Sequence, residues 1–329
     1  MANETIELLA QEFDVGTAFV DAILVKTNTA EFAQDAPGRD KFVAAAGDKW
    51  KYISYALSTN QRAERTLARM LSLDRPTTQG KALDVGCGYG GFLNAFGKLG
   101  FQPFGVEVDA HLAALAKLNT KDAPFESTLV VGDMFAGKAT LTGFDLITVN
   151  DVIEHLPDPL GAFKRLSEAL NPGGVLAIYA PNGNSVFNVA ADPHHKVCGS
   201  SYMPRSLAKG YVQAYLKSPS YSLGEYVSLQ TFQDLAQRHG LTFKYLPTDW
   251  GETPEQARGY LKDLVDKFAA LNLENVNDSI VEREIQRHLW AYIEAYAGAA
   301  KESLSGAGYM SFKEYYISRA WTITCKKGA

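Results

Sequence analysis

The chain has 329 residues, 46% hydrophobic and 21% charged, with 37 acidic against 32 basic side chains and a formal charge of −5. That length excludes a peptide or a disulfide miniprotein and suits one large domain with insertions, or two domains. The composition supports a packed core rather than disorder, and the mild acidity argues against a nucleic-acid surface. Cys87, Cys198 and Cys325 are far apart with no metal-like spacing, which fits a reducing compartment. No run approaches the ~20 apolar residues that span a bilayer. Glu4, Glu7 and Glu12 stand where a signal peptide needs positive charge, so the chain reads as cytoplasmic and not membrane-bound.

Residues 1–75 have helical texture. Ile6, Leu9, Ala10 and Phe13 recur at helical spacing, as do Ala56, Ala63, Leu67, Met70 and Leu71, with a loop signal at Asp35-Ala-Pro-Gly38. The pattern then changes to short apolar strands alternating with helices. Strands are expected at Lys81–Val85, Gly105–Val108, Leu129–Val131, Phe144–Val149 and Val175–Ala180, with a turn at Asn171-Pro-Gly-Gly174. Helices are expected at Phe92–Leu99, His111–Leu118 and Pro159–Leu170. This alternation predicts a parallel sheet covered on both faces. Residues 181–227 lack a clear period. Leu229–His239 reads as a helix stopped by Gly240, Leu241–Leu246 as a sixth strand, 253–305 as helical, and Tyr315–Lys326 as a last strand.

The first chemical signal is Leu83-Asp-Val-Gly-Cys-Gly-Tyr-Gly-Gly91. Glycines between a strand and a helix let a ligand approach the backbone. Gly86, Gly88 and Gly91 also match G-x-G-x-x-G, and Glu107 lies 19 residues after Gly88, near the place of a ribose-binding acid. That pattern alone does not choose between nucleotide ligands. Asp84 at the strand tip helps to choose. It would repel a pyrophosphate on the helix N-terminus, but not a ligand bearing an ammonium and a sulfonium.

With these residues in place, the chain resembles the class I S-adenosylmethionine-dependent methyltransferases. The resemblance rests on Asp84-Val-Gly-Cys-Gly-Tyr-Gly90, Gly105-Val-Glu107, Gly132-Asp133-Met134, Asn150-Asp-Val-Ile-Glu-His-Leu156 and Asn171-Pro-Gly-Gly174, in family order and spacing. It implies an α/β, Rossmann-like fold: a seven-stranded, mostly parallel sheet with helices on both faces and an antiparallel last strand. It also implies roles. Asp84, Gly86, Gly88 and Gly90 would hold the methionine part of the cofactor, and Glu107 the ribose hydroxyls. Val108 would lie against the adenine. Asp133 would accept from its amine, Met134 would pack on its face, and Asn150 would sit near the methionine amine. Asp133 also reads as a helix N-cap, and Met134 equally as plain core.

The expected organisation is a helical N-terminal lid at 1–75 and a methyltransferase core at 76–248 with a substrate-side insertion at 181–227. A helical insertion at 249–310 and a final core strand at 311–329 complete it. Such extra parts suit a small or medium-sized acceptor better than duplex nucleic acid. The Asn/Asp-Pro-Pro-Tyr motif of base-amino methyltransferases is replaced by Asn150-Asp151-Val152-Ile153. The expected reaction is in-line methyl transfer, most simply to oxygen, with His155 or His195 as base. His194 and Tyr202 are candidate acceptor contacts. Asp192, His194 and His195 show no fourth ligand, so no metal is expected. A non-catalytic S-adenosylmethionine-binding module and a nicotinamide oxidoreductase are the alternatives. The sequence is compatible with a homo-oligomer and names no acceptor.

Overall fold

In the computed structural model the described residues are 4–35, 38–135, 142–248, 251–276, 279–303 and 308–329. Six helices come first: α1 (Glu4–Phe13), α2 (Thr17–Lys26), α3 (Ala30–Asp35), α4 (Arg39–Ala46), α5 (Lys49–Leu57) and α6 (Thr59–Leu73). Strand β1 (Lys81–Val85) leads to α7 (Gly91–Lys98), β2 (Gln102–Glu107), α8 (Ala110–Thr120), β3 (Thr128–Val131) and β4 (Phe144–Asn150). A 3-10 turn, Ile153–His155, precedes α9 (Pro159–Ala169) and β5 (Leu170–Pro181). Then come α10 (Val186–Ala190), α11 (Arg205–Leu216), α12 (Leu229–Arg238), β6 (Leu241–Pro247), α13 (Pro254–Ala269), α14 (Ser279–Ser303) and α15 (Tyr309–Phe312). A π turn, Lys313–Ile317, enters β7 (Ala320–Lys327).

The seven strands form one sheet in the order β3-β2-β1-β4-β5-β7-β6. β1 pairs in parallel with β2 and with β4, and β2 in parallel with β3. β7 runs the other way against β5: Gly173 at the start of β5 donates to Gly328, and Asn182 just past its end donates to Arg319. The expected mostly parallel sheet with a reversed last strand is therefore present. Residues Ala82, Leu83 and Val85 of β1 and Phe144, Leu146, Ile147 and Val149 of β4 are all buried. Continuous apolar runs of this kind are what central parallel strands require, because both faces are covered.

Three local readings change. β7 begins at Ala320, not Tyr315. Tyr315 and Ile317 lie in the π turn, and Tyr316 packs on Tyr292, Tyr296 and Phe312 with centroids 6.0, 5.2 and 5.2 Å apart. Aromatic packing on a helix overrode what looked like strand alternation. The Asn171–Gly174 turn is absorbed into the start of β5, with Gly173 at φ +75° and its N–H paired to the last strand. The stretch without a period contains two helices; α11 buries Ala208, Tyr211 and Val212, a spacing of three and four. The expected loop at Asp35–Gly38 includes Ala36 and Pro37, which lie outside the described residues.

The fold divides into two compact units. The first comprises 1–150, 165–177 and 324–329; the second comprises 151–164 and 178–323. In the first, α1–α5 pack with Leu115 of α8 into a core in which Leu9, Phe19, Ile23, Leu24, Phe42 and Ile53 have no exposed surface. A buried amide cluster joins α6, α7 and α8 to the glycine turn. Asn94 and Asn119 both donate to Asn60 Oδ1 at 3.1 and 2.9 Å, and Asn119 also donates to the Tyr89 carbonyl at 2.8 Å. The second unit has a separate aromatic-rich core around Tyr211, Ile285, Tyr292 and Tyr296. No helix among the described residues is long and apolar enough to cross a membrane.

Candidate functional site

In the first unit, β1 ends at Val85, and the N–H groups of Gly86 and Cys87 both donate to the Val106 carbonyl, at 2.8 and 3.1 Å. Gly86, Gly88 and Gly90 take φ of +69°, +51° and +77°, the left-handed region where a side chain is costly. Their reasons differ. A Cβ on Gly90 would lie 3.1 Å from Ala116 Cβ, so Gly90 lets α8 pack against the turn. A Cβ on Gly88 would meet nothing within 4 Å, so the space above that peptide is open.

Glu107 braces the turn from the end of β2. One carboxylate oxygen accepts from Gly88 N–H at 2.8 Å and the other from Asp109 N–H at 3.0 Å. Asp84 is 3% exposed and accepts from the Thr148 hydroxyl at 2.6 Å. Burial pushes its carboxyl up to about 7, and the nearby Glu107 charge pushes the same way. Such a carboxylate is ready for an organic cation, whose charge would return what desolvation removed. Val108 next to Glu107 is 69% exposed, an apolar surface at the strand end. Asp133 is exposed and accepts from Phe135 N–H at 2.7 Å, so it shapes its own loop. Met134 and Asn150 are half-buried. A buried acid, an open glycine cradle, an acid with acceptors for vicinal hydroxyls and an exposed valine fit S-adenosylmethionine.

In the second unit, the chain leaves β4 through Asp151 at φ +53° and enters the Ile153–His155 turn. Glu154 is 1% exposed, and neither of its carboxylate oxygens accepts a hydrogen bond from another described residue. Burial, with the charge of Asp151, pushes this carboxyl up to about 8. His155 and His194 both present Nε2 to Glu154 Oε1, at 3.9 and 3.7 Å, with their rings edge-on at 4.7 Å.

Each of these rings is held from behind. His155 Nδ1 lies 2.9 Å from the Ser222 carbonyl, which can only accept, so this nitrogen carries the proton. His194 Nδ1 lies 3.0 Å from the Tyr226 oxygen, and Tyr226 spends its own proton on Asp192 Oδ2 at 2.8 Å. Nδ1 of His194 therefore donates as well. Burial, with the neighbouring His155, pushes the His194 imidazole down to about 4. Asp192, fully buried, anchors the loop by accepting from His194 N–H and His195 N–H at 2.8 and 2.9 Å. Opposite, Gly224 and Glu225 both donate to the Glu154 carbonyl, and a Cβ on Gly224 would lie 2.6 Å from that oxygen.

His195 does not join this cluster. Its ring stacks on Tyr221 at 4.9 Å and 13°, and its Nε2 is buried without a hydrogen-bond partner among the described residues. Tyr202 packs edge-on against Tyr292 at 4.9 Å. With Tyr221, Tyr226, Arg205 and Trp321 it lines a cavity of about 450 Å³. Sequence reasoning missed Glu154. Its signal was an acid beside the singled-out histidine, but nothing in the sequence marks a side chain that turns inward without a partner.

Residues 52–245 match a family model described as a methyltransferase domain, which is more than half of the chain. The chain belongs to this family. It carries a class I methyltransferase domain whose cofactor is S-adenosylmethionine, and this decides between the two readings of the glycine pattern. Among curated relatives, the ubiquinone biosynthesis O-methyltransferase of Xanthomonas campestris pv. campestris is 30% identical over 131 residues, 40% of this chain. The match spans 53% of that relative, so the chain covers about half the length of the curated relatives it matches. Among solved structures, a SAM dependent methyltransferase from Archaeoglobus fulgidus is 16% identical over 85% of this chain and 100% of its own, with a TM-score of 0.46. A cyclopropane synthase from Mycobacterium tuberculosis is 15% identical over 99% of both chains, also with a TM-score of 0.46.

Proposed function

We propose that this methyltransferase acts at an oxygen of a small or medium-sized acceptor, a hydroxyl activated at the Glu154–His155–His194 cluster. The observation that carries this reading is that two imidazole Nε2 lone pairs converge on one buried carboxyl whose oxygens have no hydrogen-bond partner among the other described residues. A hydroxyl brought to such a place meets two imidazole lone pairs that can accept its proton and weaken its O–H bond. The O-methyltransferase name of the curated relatives points the same way over the matched stretch.

S-adenosylmethionine supplies the electrophilic methyl group. Asp84 holds its ammonium, Glu107 its ribose hydroxyls and Val108 its adenine face, while the Gly86–Gly90 turn leaves room for its backbone. His155 and His194 orient the acceptor oxygen and draw off its proton. Tyr226, whose hydroxyl belongs to the cluster's hydrogen-bond chain, also lines the tyrosine-rich cavity. Tyr202 and its neighbours there bind the apolar body of the acceptor, since tyrosine joins apolar area to a polar tip. His195, stacked and shielded, holds Tyr221 in place rather than serving as base. The protein works in the cytoplasm on a diffusible acceptor.

The test is a methyl-labelled cofactor offered to matched series of phenols, catechols, hydroxy acids and amines. The expected product is an O-methyl ether or ester. Transfer to amines alone, at rates unchanged in a His155→Ala, His194→Ala double variant, would overturn the reading.

A further inference from the structure

We infer that Glu154, His155 and His194 are the protein ligands of a divalent first-row transition-metal ion of the zinc, cobalt or iron(II) class. This deepens the oxygen-acceptor reading, on which its catalytic meaning rests, but metal binding itself is a separate property. One ligand atom from each of the three residues lies within 4.8 Å of the others. The 3.7 and 3.9 Å separations from Glu154 Oε1 to the two Nε2 atoms are too long for hydrogen bonds. They are close to what a shared ion requires. Bonds of ~2.1 Å place neighbouring ligands about 3.0–3.4 Å apart, so the donors need close by only roughly 0.3–1.8 Å. Rotation of three side chains supplies that.

The hydrogen-bond chains behind the rings have the form that metal-bound histidines use. In each ring Nδ1 donates to oxygen, the Ser222 carbonyl for His155 and the Tyr226 hydroxyl for His194, which leaves the Nε2 lone pair directed inward. Tyr226 in turn leans on buried Asp192, the carboxylate–histidine arrangement that fixes tautomer and raises ligand basicity. Glu154 supplies the second, independent observation: a carboxylate at 1% exposure whose oxygens accept no hydrogen bond from another described residue. A buried carboxylate in native structures has a partner, and none of the other described residues fills that role here. The histidine side chains are 34% and 20% exposed, which gives an ion a way in.

Two imidazoles and one carboxylate leave coordination positions open. Those positions suit a hard oxygen donor, water or the acceptor's hydroxyl, whose proton the ion would make easier to lose. Asp192 with His194 and His195, considered from sequence, is not this set: Asp192 accepts from two backbone N–H groups and Tyr226, and His195 stacks away on Tyr221.

The experiment uses the full chain, stripped with chelator and titrated with Co²⁺ by visible absorption and with Zn²⁺ by calorimetry. Saturation at one ion per chain is expected, with d–d bands of nitrogen–oxygen coordination. His155→Ala, His194→Ala and Glu154→Gln should each weaken Co²⁺ binding by at least tenfold, while His239→Ala leaves it unchanged. Tyr226→Phe keeps all three ligands but removes the oxygen behind His194, and should weaken binding about tenfold. It gives a reading even if a ligand variant fails to fold, which S-adenosylhomocysteine binding reports. No saturable Co²⁺ binding to the wild type, or equal binding in the His155→Ala, His194→Ala double variant, would overturn the inference. Oxygen methylation that persists without metal removes the ion from the reaction and spares the acceptor reading; saturable metal binding without oxygen methylation keeps the metal site and overturns the acceptor reading.

Discussion

The glycine turn of the first unit and the acid–histidine cluster of the second are assembled from different distances along the chain. From Asp84 to Glu107 the turn is one β–α–β unit, and its groups meet because β1 and β2 are register neighbours, with Asp84 opposite Gly105. The cluster draws on three separate segments: Glu154 and His155 after β4, His194 before α11, and Ser222 with Tyr226 before α12. The turn is held by backbone hydrogen bonds and the conformational freedom of glycine. The cluster is held by contacts between segments far apart in the chain, side chain to side chain and side chain to backbone. Local sequence can specify the first, whereas only a folded unit can bring together the second.

The comparison breaks most sharply at Gly88. Gly88→Val forces a branched side chain at φ +51° into the open space above the turn. S-adenosylhomocysteine binding, followed by calorimetry, should be lost, with the circular dichroism spectrum and Co²⁺ binding intact. Retained affinity would show that the cofactor lies elsewhere.

The reciprocal change comes next in size. The His155→Ala, His194→Ala double variant should lower turnover about 10²–10⁴-fold and leave S-adenosylhomocysteine affinity unchanged. A loss of cofactor affinity instead would mean that the two regions do not divide the work as described.

Glu107→Ala should weaken S-adenosylhomocysteine by about 1.5–3 kcal/mol, roughly ten- to a hundredfold. Part of that loss comes from the turn itself, because Glu107 also holds Gly88 N–H. Glu107→Gln, which keeps an acceptor oxygen, should lose less; equal losses in the two would assign the whole effect to charge.

Acidity should then separate the regions. Burial holds the Asp84 carboxyl at about 7, above its ordinary value. In the ligand-free chain its contribution to stability is therefore fully present below about pH 4 and is lost as pH rises through about 7. A bound ammonium favours the ionised form. Affinity for S-adenosylhomocysteine should rise by up to about tenfold per pH unit toward pH 7 and then level. Asp84→Asn should flatten the profile, and a flat wild-type profile would remove Asp84 from the ammonium site.

The smallest effect is expected at Gly224. A methyl group there meets the Glu154 and Leu156 carbonyls at 2.6 and 2.7 Å. Gly224→Ala should cost about 1–3 kcal/mol, read as a fall in Tm, and should weaken Co²⁺ without altering cofactor binding. Unchanged Co²⁺ affinity would show that this strap does not position Glu154.

Much of the sheet was legible because short apolar runs and their glycine or proline stops are local signals. β1, β3, β4 and β6 fall within a residue or so of where hydrophobic runs place them. The failures share a cause. Tyr315 to Ile317 looked like strand alternation, yet the ring of Tyr316 is held by Tyr292, Tyr296 and Phe312, residues whose proximity no local window contains. α11 was hidden because its apolar face is built from alanine and tyrosine among polar neighbours.

What the sequence determined by itself is the glycine turn: a strand tip acid, three glycines in left-handed turns and an acid one strand away, all set by neighbouring residues. What only the tertiary structure decided is the fate of the polar groups in the second unit. Glu154, His155, His194, His195 and Asp192 are all chemically capable, and spacing does not rank them. Burial and orientation do: Asp192 is consumed by two N–H groups and a hydroxyl, His195 is turned onto Tyr221, and Glu154 is driven inside between two imidazole lone pairs. The desolvation of a charged group depends on every segment that covers it, and those segments are brought there by the fold, not by position in the chain.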